Sequence, residues 1–365
     1  MSETALEPAD SASEESARAA FWERARRQRE ATSYYHDIQL CFSDATIILK
    51  AQRTIFRVYK GPLVQHSPVF RVMLDSDLPQ PHTEQVASPG TITVELHDSA
   101  YDVRCLLRLI MPTNRLRLSG IRDTPFDEVC ACLRMAHKYQ IDELIEQSLR
   151  LLRNWYPDTS TLFKDRSNTE PVNPARAIAV VNLARLIEAP SLLPMAIAEC
   201  CTLGSEIVNG YKRPDGTAEH LSLFDIGLCF QAKDKLVEAR VHAFQQLFES
   251  RVRRGCTAPA VDTAYFDSFY FDVTGGAVPG LYTPNVWDSF AGYMSARIPG
   301  VCEACKQAFI AEDLAQQQRI FDQLPTLVGV TVEGWGTPPK PRWRPCRNFM
   351  FRHSCGSQCR GTMDS

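Results

Sequence analysis

The stretch FRVYKGPLVQHSPVFRVML, residues 56–74, most constrains the fold of this chain, because it ends a strand pattern and begins two helices. Residues 47–50 and 54–58 are predicted to form a β-hairpin. Pro62 then fits the first position of a helix, where no N–H donor is needed. Ser67 followed by Pro68 repeats this signal with a capping serine. A chain that turns from strands to short helices within 30 residues belongs to the α+β class.

The segments on either side of this stretch extend the same pattern. From His36 the side chains alternate, which places Ile38, Leu40 and Phe42 on one face of a strand and Asp37 on the other. A second strand is predicted over residues 91–96, followed by a helix that Asp98 or Ser99 can cap. The apolar face of that helix would consist of Val103, Leu106, Leu107 and Ile110. Two more helices are predicted from Thr124-Pro125 to Tyr139 and from Ile141 onward. Residues 34–155 are therefore expected to fold as helices packed on a short sheet.

The second half of the chain is predicted to be a mostly α-helical domain over residues 156–330. Helical patterns occur at 174–188, 191–202, 222–253, 284–297 and 301–324, and alternation returns only at residues 265–273. Loops are expected at 75–90, 165–174 and 209–216. Residues 1–33 are interpreted as a disordered N-terminus followed by an exposed helix, and residues 331–365 as a basic tail rich in Pro and Cys.

The composition of the chain indicates its cellular location. The chain has 365 residues, enough for two domains of about 100–200 residues each, and a formal net charge of −3. No secretory signal is recognisable, and the most apolar run, residues 177–186, is too short for a membrane span. Its thirteen cysteines are expected to stay reduced. These features predict an intracellular protein of the cytoplasm or nucleus. The basic run at residues 24–29 is either a nuclear address or a solvated helix face.

The usual catalytic motifs are not found in the sequence. Neighbours on a helix point about 100° apart, so His66 and Ser67 cannot act together as a base and a nucleophile. The glycine-rich residues 274–280 lack the Gly-Lys-Ser/Thr of a phosphate loop, and no G-x-S-x-G or H-E-x-x-H occurs. The sequence therefore favours a protein that is not an enzyme.

Three motifs, in the correct order, resemble those of BTB/POZ domains. They are HDIQLCF, then IFRVYKGPLVQHSPVFRVML, then LRMAHKYQIDEL at residues 133–144. The family pattern is matched by Asp37-Ile38, Phe56-Arg57-Val58, Lys60, Leu63, Ser67, Phe70, Ala136, Lys138 and Tyr139. The chain departs from the pattern at Tyr59, where histidine is usual.

The second half is similar to the helical continuation of fungal BTB proteins. The segments that carry this similarity are VVNLARLIEAPSLLPMAIAECC at residues 180–201, LCFQAKDKL, and the set Leu324, Pro325, Gly329 and Trp335.

The BTB resemblance implies a protein-interaction module, an adaptor or scaffold without catalytic activity. The partners it implies are a second copy of the chain, cullin-type ubiquitin ligases or transcriptional corepressors. Asp37 and Lys60 would lie in a charged pocket at the dimer surface. The alternative is that Lys60 faces solvent and Asp37 caps local backbone. Phe21 and Trp22 are large apolar groups on the predicted N-terminal helix, and they are candidates for dimer contacts.

The cysteines allow a second hypothesis. Cys302 and Cys305 form a C-x-x-C, and Cys346, Cys355 and Cys359 lie in the tail, so that the two groups together could bind zinc. The tail also resembles a CCCH zinc finger in its Cys-Arg-x-Phe opening, although the last gap is short and no histidine follows. Alternatively, Cys302 and Cys305 are core residues beside Val301 and Phe309.

The composition of the tail is compatible with nucleic-acid binding. From Lys340 onward it has six Lys or Arg residues, one acidic residue and three aromatic residues, Trp343, Phe349 and Phe351. Aromatic rings stack on bases and cations pair with phosphates. A zinc-dependent nucleic-acid-binding protein is therefore the alternative function, and an ordinary charged terminus is the alternative explanation of the tail.

Overall fold

A computed structural model describes most of the two predicted domains. The described residues are Trp22, 34–75, 92–111, 124–165, 173–249, 255–276, 280–297 and 300–337. Several predictions lie wholly or largely outside them: the N-terminal segment with its basic run and Phe21, the loops at 75–90 and 165–174, and the tail from residue 338.

The first domain contains a four-stranded sheet. Its strands are β1 (Tyr35–Cys41), β2 (Ile47–Ala51), β3 (Thr54–Val58) and β4 (Ile92–Leu96) in the order β1-β3-β2-β4. β2 and β3 pair antiparallel as the predicted hairpin, whereas β4 lies parallel to β2 and β1 lies parallel to β3. β1 and β4 therefore form the two edges of the sheet.

Five helices cover this sheet: α1 (Lys60–His66), α2 (Pro68–Met73), α3 (Ala100–Ile110), α4 (Phe126–Lys138) and α5 (Asp142–Trp155). Ser67 is the predicted N-cap of α2, since its Oγ accepts the Phe70 N–H at 3.0 Å. Phe70 stacks on Tyr139 with ring centroids 4.2 Å apart. The predicted apolar face of α3 is buried, and together with Phe56 and Leu63 it belongs to one core, called here the sheet core.

The cap of α3 differs from the prediction. Ser99 occupies the N-cap position without a side-chain hydrogen bond, and both carboxylate oxygens of Asp98 accept from Lys138 and Tyr139 instead. Gln52 Oε1 accepts the Ala100 N–H at 3.1 Å. Gln52 lies in the two-residue turn between β2 and β3 with a φ of 52°, so the residue that tightens the hairpin also caps the helix.

The predicted alternation of β1 is wrong at Asp37 and Ile38, whereas Leu40 and Phe42 pack on the sheet core as expected. Asp37 and Leu40 are buried, whereas Ile38 is 99% exposed. The β1–β3 register is irregular between His36 and Cys41. In this interval Asp37 Oδ1 accepts the N–H groups of Gln39 and Leu40, each at 2.9 Å. This local turn shifts the side chains out of strict alternation, so Ile38 faces away from the core.

The second domain is helical, as predicted. Its helices are α6 (Ser160–Asp165), α7 (Arg176–Leu186), α8 (Leu193–Cys201), α9 (Leu223–Leu247), α10 (Pro259–Thr274), α11 (Phe290–Arg297) and α12 (Glu303–Val328). Two short 3₁₀ helices, Pro190–Leu192 and Gly204–Asn209, flank α8. The predicted loop at 209–216 contains the first strand of a small hairpin, β5 (Tyr211–Lys212) and β6 (Ala218–Glu219).

The alternation at residues 265–273 is helix rather than strand. Pro259 begins α10, and Phe266, Phe269 and Val273 are buried at helical spacing. They pack with the end of α9, with α11 and with the first turns of α12 in what we call the aromatic core. The aromatic residues between them gave the appearance of a two-residue period.

A third core joins the two domains. It combines Phe126, Val129, Leu133 and Leu152 of the first domain with apolar residues of α7, α8, α9 and α12, and we call it the junction core. Charged contacts surround it. Asp102 of α3 binds Arg134 of α4 at 3.1 Å and Arg213 beside β5 at 2.5 Å. Asp127 of α4 accepts from Tyr211 and pairs with Arg176 of α7 at 3.1 Å.

Among the helices that the structure describes, none is long and apolar enough to cross a membrane.

Candidate functional site

Among the described residues of the first domain, the strand β1 carries the most exposed large apolar side chain. Ile38 is almost fully exposed, and Tyr34 and Tyr35 are also exposed. Arg53 holds Tyr35 in place through a 2.8 Å hydrogen bond to its hydroxyl, and Lys50 lies 5.1 Å from the Tyr34 ring centroid. Within the described part of the chain, β1 pairs with a strand on one side only. Its other edge therefore presents backbone groups and apolar side chains together.

Asp37 is buried and its carboxylate is fully used. One oxygen accepts two backbone N–H groups of β1, and the other accepts Arg104 Nε of α3 at 2.6 Å. This geometry matches the capping alternative for Asp37. The carboxylate also joins β1 to α3, and it therefore helps to fix the position of the exposed strand. A role for Asp37 in partner binding stays a prediction.

Lys60 is the first residue of α1, and Tyr59 before it binds an acidic residue, Asp44. The Lys60 N–H donates to Thr46 Oγ1 at 2.8 Å, and the hydroxyl of Tyr59 donates to Asp44 Oδ1 at 2.6 Å. Among the described residues, the Lys60 ammonium forms no ion pair. Asp44 was missed in the sequence, where the signal was an aspartate three residues before a strand. Lys60 stays a predicted partner contact.

The other predicted dimer contacts are only partly described. Trp22 is helical and 64% exposed, and Phe21 lies outside the described residues. Exposure of a large indole is compatible with a binding role, which stays a prediction.

His66 and Ser67 do not form a catalytic pair. The Ser67 hydroxyl is fully buried, donates to the Tyr139 carbonyl at 2.7 Å and accepts the Phe70 N–H. Since its proton is held by a carbonyl, no base can take it without breaking the packing between α2 and α4. The serine is structural.

A second candidate site lies far along the chain, where Cys302 and Cys305 meet Cys256 and Asp262. The ligand atoms of these four residues all lie within 4.8 Å of one another. Cys302 is the N-cap of α12 and Cys305 lies in its first turn, whereas Asp262 lies in the first turn of α10. The sequence suggested Cys302 and Cys305 but not their neighbours, because Cys256 and Asp262 form no recognised spacing. Cys346, Cys355 and Cys359 lie outside the described residues, and their predicted role in zinc binding stays untested.

Hydrogen bonds within this cluster stabilise negative charge on Asp262 and Cys302. Burial raises the pKa of Asp262, but hydrogen bonds from Cys302 and Cys256 outweigh it and lower the pKa to about 2. The Asp262 carboxylate raises the pKa of the Cys302 thiol, yet backbone N–H groups of Thr257 and Cys305 lower it below its usual value. Cys105 in the first domain differs: burial raises the pKa of its thiol to about 12, which keeps that thiol protonated.

Comparison with known families supports the assignment of the first domain. Residues 36–154 match the family model of the BTB/POZ domain. No curated protein matches the chain.

Proposed function

Residues 36–154 are a BTB/POZ domain, a non-catalytic module of protein–protein interaction, and from this premise we propose that the chain is a BTB-type adaptor that self-associates through the edge of β1. The observation that carries this proposal is the nearly complete exposure of Ile38 on an edge strand. BTB domains often dimerise.

An exposed strand edge favours a second copy of the same strand as its occupant. Unpaired N–H and C=O groups on an edge are a template for pairing with another strand. Two identical edges related by a twofold axis satisfy each other, which is the symmetry of most homodimers. Ile38, Tyr34 and Tyr35 supply apolar area at this edge, and aromatic residues are enriched in interface cores.

The rest of the chain would display a second surface for the protein that the adaptor recruits. The resemblance names two partner classes, a cullin-type ubiquitin ligase and transcriptional regulators. Affinity purification of the full chain followed by mass spectrometry would separate these two classes, because ligase subunits and corepressors are distinct sets of proteins. Lys60 is the side chain predicted to contact such a partner.

Light scattering coupled to size-exclusion chromatography tests self-association of the full chain. At micromolar concentration we expect twice the chain mass for the unmodified protein and the single chain mass for Ile38→Asp. The reason is that a carboxylate at a desolvated contact is costly, while the same group on the exposed monomer surface leaves the fold intact. Circular dichroism should show unchanged helicity in both proteins.

Leu314→Asp is the matched control, since Leu314 is a 61% exposed leucine on α12, outside the first domain. This variant should elute as a dimer. A monomeric unmodified chain, or a dimer that survives Ile38→Asp, would remove the proposed use of the β1 edge.

A further inference from the structure

Two helix starts converge on the cluster of Cys256, Asp262, Cys302 and Cys305. Asp262 Oδ1 accepts the Cys302 N–H at 3.1 Å, which joins the first turn of α10 to the first residue of α12. Cys256 precedes α10, and its thiol donates to Asp262 Oδ2 at 3.1 Å. Four side chains from two segments of the chain, as much as 49 residues apart in the sequence, therefore surround one point.

The spacing fits a tetrahedral metal ion. Zinc binds thiolate sulfur at about 2.3 Å, so two sulfurs on one tetrahedral ion lie about 3.8 Å apart. The Sγ atoms of Cys256 and Cys302 are 3.9 Å apart. The upper limit of 4.8 Å within the cluster exceeds the tetrahedral value by about 1 Å, which small rotations of the thiols about χ1 can close.

The chemistry of the cluster distinguishes it from an ordinary core. Cys305 is fully buried in the aromatic core, and Cys302 and Cys256 pack against it, as a purely apolar explanation requires. That explanation does not account for Asp262, a fully buried carboxylate among three thiols. In the described part of the chain the partners of Asp262 are donors of this cluster, and none of them is a Lys or Arg. Hydrogen bonds from the cluster hold Asp262 as a carboxylate, and a bound cation would be the opposite charge that this buried anion lacks.

We propose that Cys256, Asp262, Cys302 and Cys305 bind one structural Zn²⁺ ion. Three thiolates and one carboxylate complete a four-coordinate shell from the protein alone, which is the composition of a structural site rather than a catalytic one. Zinc suits this soft donor set, whereas magnesium and calcium take oxygen ligands. Binding converts the thiols to thiolates and releases their protons to solvent. The ion would fasten α10 to α12 at the edge of the aromatic core.

Metal content of the full chain tests the site directly. We expect the unmodified protein, purified with zinc and then dialysed, to retain one zinc per chain that is lost in Cys256→Ser/Cys302→Ser. Both cysteines are half-buried, so serine at these positions should leave the fold intact, which circular dichroism checks. Cys41→Ser removes an exposed cysteine of β1 and should retain the zinc.

The tail cysteines need their own variant, because they offer another zinc site. Cys346→Ser/Cys355→Ser/Cys359→Ser should keep the zinc that Cys256→Ser/Cys302→Ser loses. Zinc that disappears only in the tail variant, or an unmodified chain that retains none, would overturn the proposal.

Asp262→Asn separates coordination from the hydrogen bond that Asp262 accepts from the Cys302 N–H. Asparagine can still accept the Cys302 N–H, but a neutral amide is a poor zinc ligand, so competition with a chelator should show weaker zinc binding. Cobalt loading should give a thiolate-to-metal absorption band in the unmodified chain that is absent in Cys256→Ser/Cys302→Ser. Unchanged zinc affinity in Asp262→Asn would remove the carboxylate from the ligand set and with it the proposed shell.

These results are independent of the dimer proposal. The proposed zinc site lies in the helical domain and is tested by metal content. The proposed dimer contact lies at the edge of β1 and is tested by the mass of the particle in solution.

Discussion

The Ser67 hydroxyl makes two hydrogen bonds in the sheet core, one to cap α2 and one to the Tyr139 carbonyl at the end of α4. The cap satisfies a backbone donor of the first turn of α2, and the second bond satisfies a buried acceptor. Removal of one hydroxyl thus leaves two backbone groups unpaired away from water.

Ser67→Ala is therefore expected to lower the free energy of unfolding by about 2–4 kcal/mol, the sum of a lost cap and an unsatisfied buried carbonyl. Chemical denaturation followed by circular dichroism measures this change. Ser222→Ala is the matched control, because Ser222 also caps a helix, α9, but is exposed. Its cost should be about 1 kcal/mol. Equal losses in the two variants would contradict a buried role for Ser67.

Ser67 and Asp37 show which residue roles a sequence can predict. The cap of Ser67 depends on Pro68 and Phe70, its neighbours in the chain, so the local pattern was sufficient. Asp37 depends on Arg104, 67 residues away, and no local pattern contains that contact. The same limit applies to Cys302, whose partner Cys256 is distant in sequence and follows no recognised spacing.

At the scale of the element, α12 continues through a proline. Pro325 lacks the N–H that would bond the Phe321 carbonyl, and Trp335 Nε1 donates to that carbonyl at 2.7 Å instead. The Trp335 ring also packs on Phe321 with centroids 4.8 Å apart. Gly329 ends the helix with a φ of 72°, which turns the chain back toward the Phe321 side.

Trp335→Phe should lower the free energy of unfolding by about 1–2 kcal/mol, because the Phe321 carbonyl loses its donor. In a Pro325→Ala background the restored N–H can take that place. The two substitutions should therefore couple by about 1 kcal/mol in a double-mutant cycle measured by denaturation. Equal costs of Trp335→Phe in both backgrounds would mean that the indole contributes packing alone.

Elements with a strong period were predictable, and elements shaped by distant contacts were not. α4 and α7 lie close to their predicted positions: buried residues of α4 recur at helical spacing, and α7 is an apolar run that is buried along most of its length. α10 was assigned as a strand because aromatic residues occupy both its buried and its exposed faces. In β1 the prediction was wrong at Asp37 and Ile38, because the Asp37 carboxylate binds the backbone N–H groups of Gln39 and Leu40 within the strand.

For the whole molecule, the junction core makes the two domains one structural unit. Helices α4 and α5 of the BTB domain bury Phe126, Val129 and Leu152 against the helical domain, and Asp127 adds polar contacts across the same boundary. Neither side can lose its fold without exposing apolar surface of the other. The exact position of the domain boundary, between residues 155 and 156, stays a prediction.

The full chain should consequently unfold in one transition, as measured by differential scanning calorimetry. Asp127→Asn, which weakens contacts to Arg176 and Tyr211, should move that whole transition to lower temperature without splitting it. Two separate transitions in the unmodified chain would show that the domains unfold independently.

The sequence predicted both domains but not the core that packs one against the other. Apolar faces on α4 and α7 were visible as separate patterns, and nothing in either pattern named the other as its partner. The charged contacts of Asp102 and Asp127 join residues that are 32 to 111 positions apart. Such pairings are fixed only when the complete fold is assembled.

At the end of its described part, the chain returns to the start of the helical domain, just after the BTB domain. Thr159 and Gly336 form a parallel bridge, with Gly336 N–H donating to Asp158 O at 3.0 Å and Ser160 N–H donating to Gly336 O at 3.1 Å. A mechanical load applied between the BTB domain and the residues after Thr337 would thus be carried first by this bridge. The helices between residues 160 and 336 would bear force only after the bridge has opened.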